Sequence, residues 1–270
     1  MVDHDSKALI WDLGNTLVHP SLLKTAYEIG LKDFILYWLI EGKDPSDIHE
    51  SAFRILNRLN VQISAPLTAT YHTSFDEEKL LPALICQWLT GKTDSEELQK
   101  KVALCMKQLS KKGHFSSRRQ ERLIKNTLKL IFDPKKFIQC LSSIPQGVSL
   151  LKECLEQYDT EGNQKHSFYI LSNWDPHSFK YLYCSSVKEV ICSFDPANIV
   201  ISGDVGSLKP QAALFEYFLH KYSLNPKQCI LIDDQKTNII AAERHGITGL
   251  FVEKGNYASV RKHLQELKVV

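Results

Sequence analysis

The spacing of hydrophobic positions changes twice along the chain. An apolar run from Ala8 to Ile10 comes first and predicts a buried strand. From Ser21 to about Ser143, apolar residues recur every three or four positions, which is the pattern of amphipathic helices. After Pro145, helical segments alternate with short apolar segments, which predict four more strands: HSFYILSN, NIVIS, QCILIDD and ITGLFVE.

This order of elements predicts an α/β protein with a helical insertion. Helices that alternate with strands are typical of a parallel sheet whose strands are joined by right-handed crossovers. The first strand belongs to the same sheet, because a lone strand cannot satisfy its backbone hydrogen-bonding groups. We therefore assign residues 1–18 and 146–270 to an α/β core, and residues 19–145 to an inserted, enlarged and all-helical domain.

Polar side chains follow three of the predicted strands. Asp12 follows the first strand, Ser172 and Asn173 follow the second, and Asp233 and Asp234 follow QCILI. In open parallel sheets, ligands bind at the carboxyl ends of the strands. An Asx turn would account for Asp12 alone, and a helix cap for Ser172 or Asn173. The adjacent aspartates are harder to explain in this way, because buried carboxylates repel each other unless a cation or a donor lies beside them.

Composition and charge exclude several classes of protein. The chain has 270 residues, of which 43% are hydrophobic, and this is enough for one large domain or two unequal ones. Its 33 basic and 31 acidic residues are spread along the chain, so the net charge of +2 does not indicate binding to nucleic acid or to an anionic membrane. The longest apolar run, FILYWLI, is far shorter than the roughly 20 residues of a membrane span.

The N-terminus and the cysteines predict a cytoplasmic protein. The opening segment MVDHDSKALIWD has acidic residues near its start and lacks the layout of a secretory signal. The seven cysteines form no C-x-x-C pair, and most of them lie in apolar segments. We interpret them as buried, reduced residues of a protein in a reducing compartment.

Four motifs in order resemble those of the haloacid dehalogenase (HAD) superfamily, most of whose members are phosphatases. An acidic residue after a strand or a Lys-Pro pair is common, but four such motifs in order and in matching strand context are specific. The similarity covers residues 7–18 and about 146–253. It implies a HAD-like Rossmannoid parallel sheet, with the insertion as a helical cap that covers the site. The motifs are IWDLGNTLV, YILSN, SLKP and LIDDQKTN.

The resemblance implies a role for each polar residue of these motifs. Asp12 would attack phosphorus and form an aspartyl phosphate, which divides one difficult displacement into two easier ones. Ser172 and Asn173 would donate hydrogen bonds to the phosphoryl oxygens. Lys209 would add positive charge where negative charge accumulates during the reaction.

The resemblance also implies a magnesium site. A divalent cation would neutralise charge between the carboxylate and the phosphoryl oxygens. Asp233 would orient a metal-bound water or Lys209, and Asn238 would hold the loop. The three implied ligands are the Asp12 side chain, the Gly14 carbonyl and Asp234.

Gly14 departs from the usual pattern of these phosphatases. They commonly carry a second aspartate there, which protonates the leaving group. Loss of such an acid typically lowers the rate by about 10²- to 10⁴-fold. A phenol leaves far more easily without a proton than an aliphatic alcohol, so we expect a preference for aryl or acyl phosphates. His19 or a cap residue would be the first candidates for a replacement acid.

Three functions therefore remain open. The first is a Mg²⁺-dependent phosphatase that acts on a phosphorylated small molecule or a phosphotyrosine-type substrate. The second is a binding or scaffold protein that keeps the fold with little turnover. The third is a 2-haloacid dehalogenase, in which a similar aspartate attacks carbon without metal or acid. Such enzymes generally replace the acid pair of the fourth motif, so Asp233 and Asp234 favour the phosphatase.

One basic segment in the insertion has two possible explanations. KKGHFSSRRQERLIK, residues 111–125, carries seven basic side chains if His114 is charged. A solvated helix face and its loop is the favoured interpretation, and a docking patch for an acidic protein is the alternative.

Overall fold

The structure is a computed structural model that describes residues 6–44, 46–59, 69–72 and 78–270. Residues 1–5, which we assigned to the core, lie outside the described residues. The same holds for residue 45 and for residues 60–68 and 73–77 of the predicted insertion.

A parallel sheet of five strands forms the centre of the core, as the alternation of helices and strands predicted. The strands of the structure are β1 (Ala8–Trp11), β2 (Val18–Pro20), β3 (Thr70–His72), β4 (Glu78–Leu80), β5 (Leu141–Ser143), β6 (Ser167–Ser172), β7 (Ile199–Ile201), β8 (Cys229–Asp233) and β9 (Thr248–Phe251). The order of strands in this sheet is β7-β6-β1-β8-β9, so β1 lies in the middle.

Both faces of the sheet are covered by apolar side chains, which explains why the strand segments are continuous apolar runs in the sequence. Leu9 and Trp11 of β1 belong to the apolar cluster on one face. Ala8 and Ile10 belong to the cluster on the other face. Successive side chains of a strand point to opposite faces, so every residue of β1 is buried.

Thirteen α-helices are present among the described residues. They are α1 (Leu22–Leu39), α2 (Ser46–Arg58), α3 (Ala83–Leu89), α4 (Ser95–Lys111), α5 (Arg118–Ile131), α6 (Pro134–Gln139), α7 (Pro145–Leu155), α8 (Pro176–Leu182), α9 (Lys188–Ile191), α10 (Ser202–Val205), α11 (Ala212–Lys221), α12 (Lys236–Arg244) and α13 (Tyr257–Glu266). Helices α1 to α6 lie in the insertion, and α7 to α13 lie in the core.

The insertion is mostly helical, but the expectation that it is all-helical was wrong. Its helices share an apolar cluster of their own. Strands β3 and β4 pair antiparallel within it, with Thr70 opposite Leu80. Strands of three residues are too short for an alternating pattern to identify them in the sequence. Strands β2 and β5 also pair antiparallel, where the chain leaves and re-enters the core.

The insertion contacts the core beside the carboxyl edge of the sheet. The Thr70 hydroxyl lies 3.2 Å from Gln235 Oε1 and 3.1 Å from Thr237 Oγ1. Ser202 Oγ donates a hydrogen bond of 2.7 Å to the carbonyl of Leu89. At Gly91 of the insertion, which has a φ of 69°, a Cβ would lie 2.9 Å from the carbonyl oxygen of Gly203 in the core, so only glycine fits this close approach.

Two arginines of the basic segment form ion pairs within the insertion. Arg122 makes two hydrogen bonds of 2.8 and 2.9 Å to the carboxylate of Asp33. Arg119 pairs with Glu41 and lies 3.6 Å from Asp33. These contacts join α5 to α1 and the residues after it, in keeping with a structural role for part of the segment. Docking of a protein partner here stays a prediction.

The cysteines are all unpaired, but not all are buried. Cys86, Cys140, Cys154 and Cys229 are buried, and Cys105 is partly buried. Cys184 and Cys192 are exposed, so the expectation of burial was wrong for these two. None of the helices in the described part of the chain has the length and hydropathy that crossing a membrane requires.

Candidate active site

The strand-end residues predicted from the sequence lie at one edge of the sheet. Strand β1 pairs in parallel with both β6 and β8, so the carboxyl ends of these three strands are adjacent. Asp12 follows β1, Ser172 ends β6, and Asp233 ends β8 with Asp234 next to it. All four side chains are buried.

Lys209 lies between two of these carboxylates. Its Nζ is 2.7 Å from Asp12 Oδ1 and 2.6 Å from Asp233 Oδ2, and the residue is only 1% exposed. Burial lowers the pKa of Lys209, but the attraction of Asp12 and Asp233 outweighs it and raises the pKa above its usual value. Lys209 is therefore a buried cation at neutral pH. Removal of one partner from such a buried ion pair typically lowers the free energy of unfolding by about 3–5 kcal/mol.

The nucleophile predicted from the sequence is held by two donors. Asp12 Oδ1 accepts a hydrogen bond of 2.9 Å from Ser172 Oγ as well as the one from Lys209. Burial raises the pKa of Asp12 to about 6, with a smaller contribution from the charge of Asp233 and with Lys209 opposing it. The side chain is thus oriented at Oδ1 in a site that disfavours its negative charge.

The charge of the site fits a divalent cation. Burial raises the pKa of Asp234 well above its usual value, and repulsion from Asp233 and Asp12 raises it further. When ionised, the three carboxylates outnumber the single Lys209 ammonium by two charges. Carboxylate oxygens are also the side-chain ligands that Mg²⁺ prefers. Asp12 and Asp234 could hold the ion together with the Gly14 carbonyl, and this ligand set stays a prediction.

Two amide side chains and one backbone N–H position the charged residues. Asn173 binds the backbone of Lys209 at both ends, because its Nδ2 donates to the Lys209 carbonyl at 2.9 Å and its Oδ1 accepts from the Lys209 N–H at 2.8 Å. Asn238 Nδ2 lies 3.0 and 3.1 Å from the two oxygens of Asp233. The Gln235 N–H donates to Asp233 Oδ1 at 2.8 Å. Phosphate binding by Ser172 and Asn173 stays a prediction.

The turn after Asp12 does not require glycine at position 14. Gly14 is not among the residues with positive φ, whereas Asn15 has a φ of 53°. A Cβ on Gly14 would lie 3.8 Å from Asp12 Oδ2, which is ordinary van der Waals contact. The local backbone conformation therefore does not explain why position 14 lacks a carboxylate, because it would accept a residue other than glycine.

Tyr257 is a neighbour of the site that sequence reasoning missed. Its hydroxyl donates a hydrogen bond of 2.5 Å to the carbonyl of Thr16, in the turn after Asp12. Burial raises the pKa of Tyr257, and the charges of Asp234 and Asp12 raise it further. Tyr257 begins α13, far from the four motifs, and no local pattern marks it.

A cavity of about 410 Å³ opens between the insertion and the carboxyl edge. Val18 and Pro20 of β2 line it, so the intervening His19 belongs to the opposite face of that strand. His49 of α2 lines the cavity and is a residue of the insertion that could supply the acid, a role that stays a prediction. The other titratable group among the described lining residues is Asp175, which caps α8.

Known proteins share parts of this sequence and most of this fold. Residues 208–268 match the family model described as HAD-hydrolase-like. No curated protein matches the chain at the level of sequence.

Three solved structures are similar along nearly the whole chain. A HAD family enzyme from Bacteroides thetaiotaomicron, in complex with magnesium and inorganic phosphate, has a TM-score of 0.52 at 16% identity, over 93% of this chain and 96% of that one. A HAD-like family hydrolase from Porphyromonas gingivalis has a TM-score of 0.51 at 16% identity, over 96% and 98%. A dehalogenase has a TM-score of 0.52 at 11% identity, over 95% and 88%. This chain therefore has the HAD-like fold, which confirms the resemblance to the haloacid dehalogenase superfamily indicated by its four motifs.

Proposed function

We propose that the protein is a Mg²⁺-dependent phosphomonoester hydrolase that acts through an aspartyl phosphate on Asp12. The orientation of Asp12 carries this proposal. Its Oδ1 accepts hydrogen bonds from Ser172 and Lys209, while its Oδ2 lies 3.8 Å from the position of a Cβ on Gly14, a residue that lines the cavity. One oxygen is thus held by donors, and the other lies next to a residue of the cavity wall.

The residues of the site suit a displacement at phosphorus in two steps. In the first step, Asp12 forms a bond to phosphorus and the ester oxygen leaves with the bonding electron pair. Lys209 stays protonated and stabilises the negative charge that gathers at the reacting group. In the second step, water displaces Asp12 and releases phosphate. Asn173 and Asn238 take part indirectly, because they hold Lys209 and Asp233 in place.

Magnesium held by Asp12, Asp234 and the Gly14 carbonyl would neutralise charge between the nucleophile and the phosphoryl oxygens. The excess of buried negative charge in the site supports this assignment. The magnesium and phosphate in the similar enzyme from Bacteroides thetaiotaomicron support it further.

Product analysis tests the proposed function. Purified protein with Mg²⁺ is incubated with acetyl phosphate and phenyl phosphate, and separately with 2-chloropropionate. We expect release of inorganic phosphate and no chloride. Chloride release without phosphate release would support the dehalogenase alternative. Turnover of none of these compounds would favour the binding or scaffold protein.

We expect Gly14→Asp to increase hydrolysis of an alkyl phosphate, such as hexyl phosphate, relative to phenyl phosphate. The new carboxyl group could protonate the leaving alkoxide, and the expected gain in the ratio of kcat/KM values is about 10- to 100-fold. The backbone at position 14 has no positive φ that would oppose the substitution. Steady-state kinetics with both esters measure this ratio.

Gly14→Asn is the matched control, because it has nearly the same shape but no acidic proton. Similar chemical-step rates for both esters in the natural protein would contradict the premise that no acid is present. His49→Gln would then test whether the imidazole supplies the proton.

A further inference from the structure

Aromatic side chains form much of the wall of the 410 Å³ cavity. Phe53 and Trp88 come from α2 and α3 of the insertion, Phe137 comes from α6, and Trp174 follows β6 in the core. Two of these rings are fixed by neighbours. Trp174 Nε1 donates a hydrogen bond of 2.9 Å to Ser178 Oγ, and Trp88 packs edge-on against Phe132 at 5.4 Å.

The polar part of the lining adjoins the catalytic residues. Gly14 lies two residues after Asp12, Asn173 holds the backbone of Lys209, and Gln235 donates its N–H to Asp233. A phosphate ester whose phosphoryl group reaches Asp12 from the cavity would therefore place its leaving group among the aromatic rings.

The charge of the lining argues against a highly charged leaving group. Among the described residues that line the cavity there is no Lys or Arg. The single carboxylate, Asp175, accepts hydrogen bonds from the N–H groups of His177 and Ser178 at 3.0 and 2.8 Å, so it is engaged in capping α8. A second phosphate on the substrate would find no cation here, whereas a planar apolar ring would pack against the aromatic side chains.

We propose that this cavity binds the aromatic leaving group of a small aryl phosphomonoester. The proposal rests on the phosphatase function proposed above and adds the class of substrate. When Asp12 forms its bond to phosphorus, the aryl oxygen leaves as a phenolate with the bonding electron pair, and it takes a proton from water. The absence of a carboxylate at Gly14 agrees with a leaving group that needs no protonated acid.

The volume favours small aryl esters over phosphotyrosine in a protein. A cavity of about 410 Å³ lies in the lower part of the range for small-molecule sites, and one or two fused rings fit within it. The insertion covers the site, so a polypeptide on both sides of a phosphotyrosine would have to pass between the insertion and the core.

The first experiment compares substrates with Mg²⁺ present. Phenyl phosphate and 2-naphthyl phosphate have leaving groups of similar pKa but different apolar area, and acetyl phosphate has a good leaving group with almost none. We expect kcat/KM for 2-naphthyl phosphate to exceed that for phenyl phosphate by about 10-fold. Equal values for the two esters would overturn the proposal, as would a higher value for a phosphotyrosine peptide than for both.

A substitution that fills the cavity provides the second test. Leu81 lines the cavity and is partly exposed, and Leu81→Trp would occupy space next to the aromatic wall. We expect it to lower the ratio of kcat/KM for 2-naphthyl phosphate to that for acetyl phosphate by about 10-fold. Leu104→Trp is the matched control, because Leu104 is 61% exposed on α4, and it should leave the ratio unchanged. An unchanged ratio in folded Leu81→Trp would contradict the proposal.

A binding measurement separates this proposal from the phosphatase function. Calorimetric titration with 2-naphthol should give saturable binding to the natural protein and at least about 10-fold weaker binding to Leu81→Trp. Binding without turnover of any ester would support the cavity assignment while the phosphatase function fails. Turnover of esters without binding of 2-naphthol, and without preference for the naphthyl ester, would overturn the cavity assignment alone.

Discussion

Asp12→Asn should lower the rate of phosphate release by about 10⁴-fold or more, as loss of a catalytic nucleophile commonly does. The amide has nearly the shape of the carboxylate but does not attack phosphorus. Lys209 keeps Asp233 as a partner at 2.6 Å, so we expect the fold to survive. Steady-state kinetics with an active ester measure the loss, and circular dichroism with thermal unfolding verifies the fold.

Asp204→Asn is the control for this experiment. Asp204 lies in the core on α10, and its side chain is exposed, so the same chemical change should leave the rate unaltered. If folded Asp12→Asn released phosphate at the rate of the natural protein, the covalent mechanism that we propose would be excluded.

Removal of divalent metal should abolish activity, and Mg²⁺ should restore it. The same ion should raise Tm, because it relieves the repulsion that acts on Asp234. When the Mg²⁺ concentration is 100-fold above its Kd, binding to the folded state alone raises the free energy of unfolding by about 2.7 kcal/mol. This corresponds to a rise in Tm of about 5 to 10 °C for a protein of this size. Thermal unfolding with EDTA and with Mg²⁺ measures the shift without reference to catalysis.

Asp234→Asn should remove most of the shift in Tm produced by Mg²⁺, because it removes one of the proposed ligands. The variant without metal should be at least as stable as the natural protein without metal, since one buried negative charge is gone. Asp204→Asn again serves as the control and should keep the full shift. Undiminished release of phosphate in a sample verified to be free of metal would contradict the metal site.

The core was predictable because its strands are buried on both faces. The segments FYIL and CILI are continuous apolar runs, and each has the length of a short strand. The hairpin of β3 and β4 was missed because three residues do not establish a period of two. The order of strands in the sheet also could not be obtained from these patterns, since they carry no information on which strands are neighbours.

The charged part of the site was predictable from strand ends, but its surroundings were not. Asp12, Asp233 and Asp234 come directly after apolar runs, so parallel pairing brings them together. Tyr257 reaches the same turn from a helix at the other end of the chain. Phe53 and Trp88 are apolar positions of helices in the sequence, where a residue of a cavity wall has the same pattern as a core residue.

The central position of β1 has a consequence for the order in which the protein is completed during synthesis. Ala8 pairs with Ser167 on one side and with Cys229 on the other, so β1 leaves the ribosome before both of its partners and must wait for them. At typical rates of translation, the nearer partner appears roughly 10 to 30 s later. During this interval β1 is an apolar segment with unpaired backbone groups, the kind of segment that aggregates or binds chaperones. Early pairing of β2 with β5, with Val18 opposite Ser143, would shorten the distance to β6 before the sheet forms.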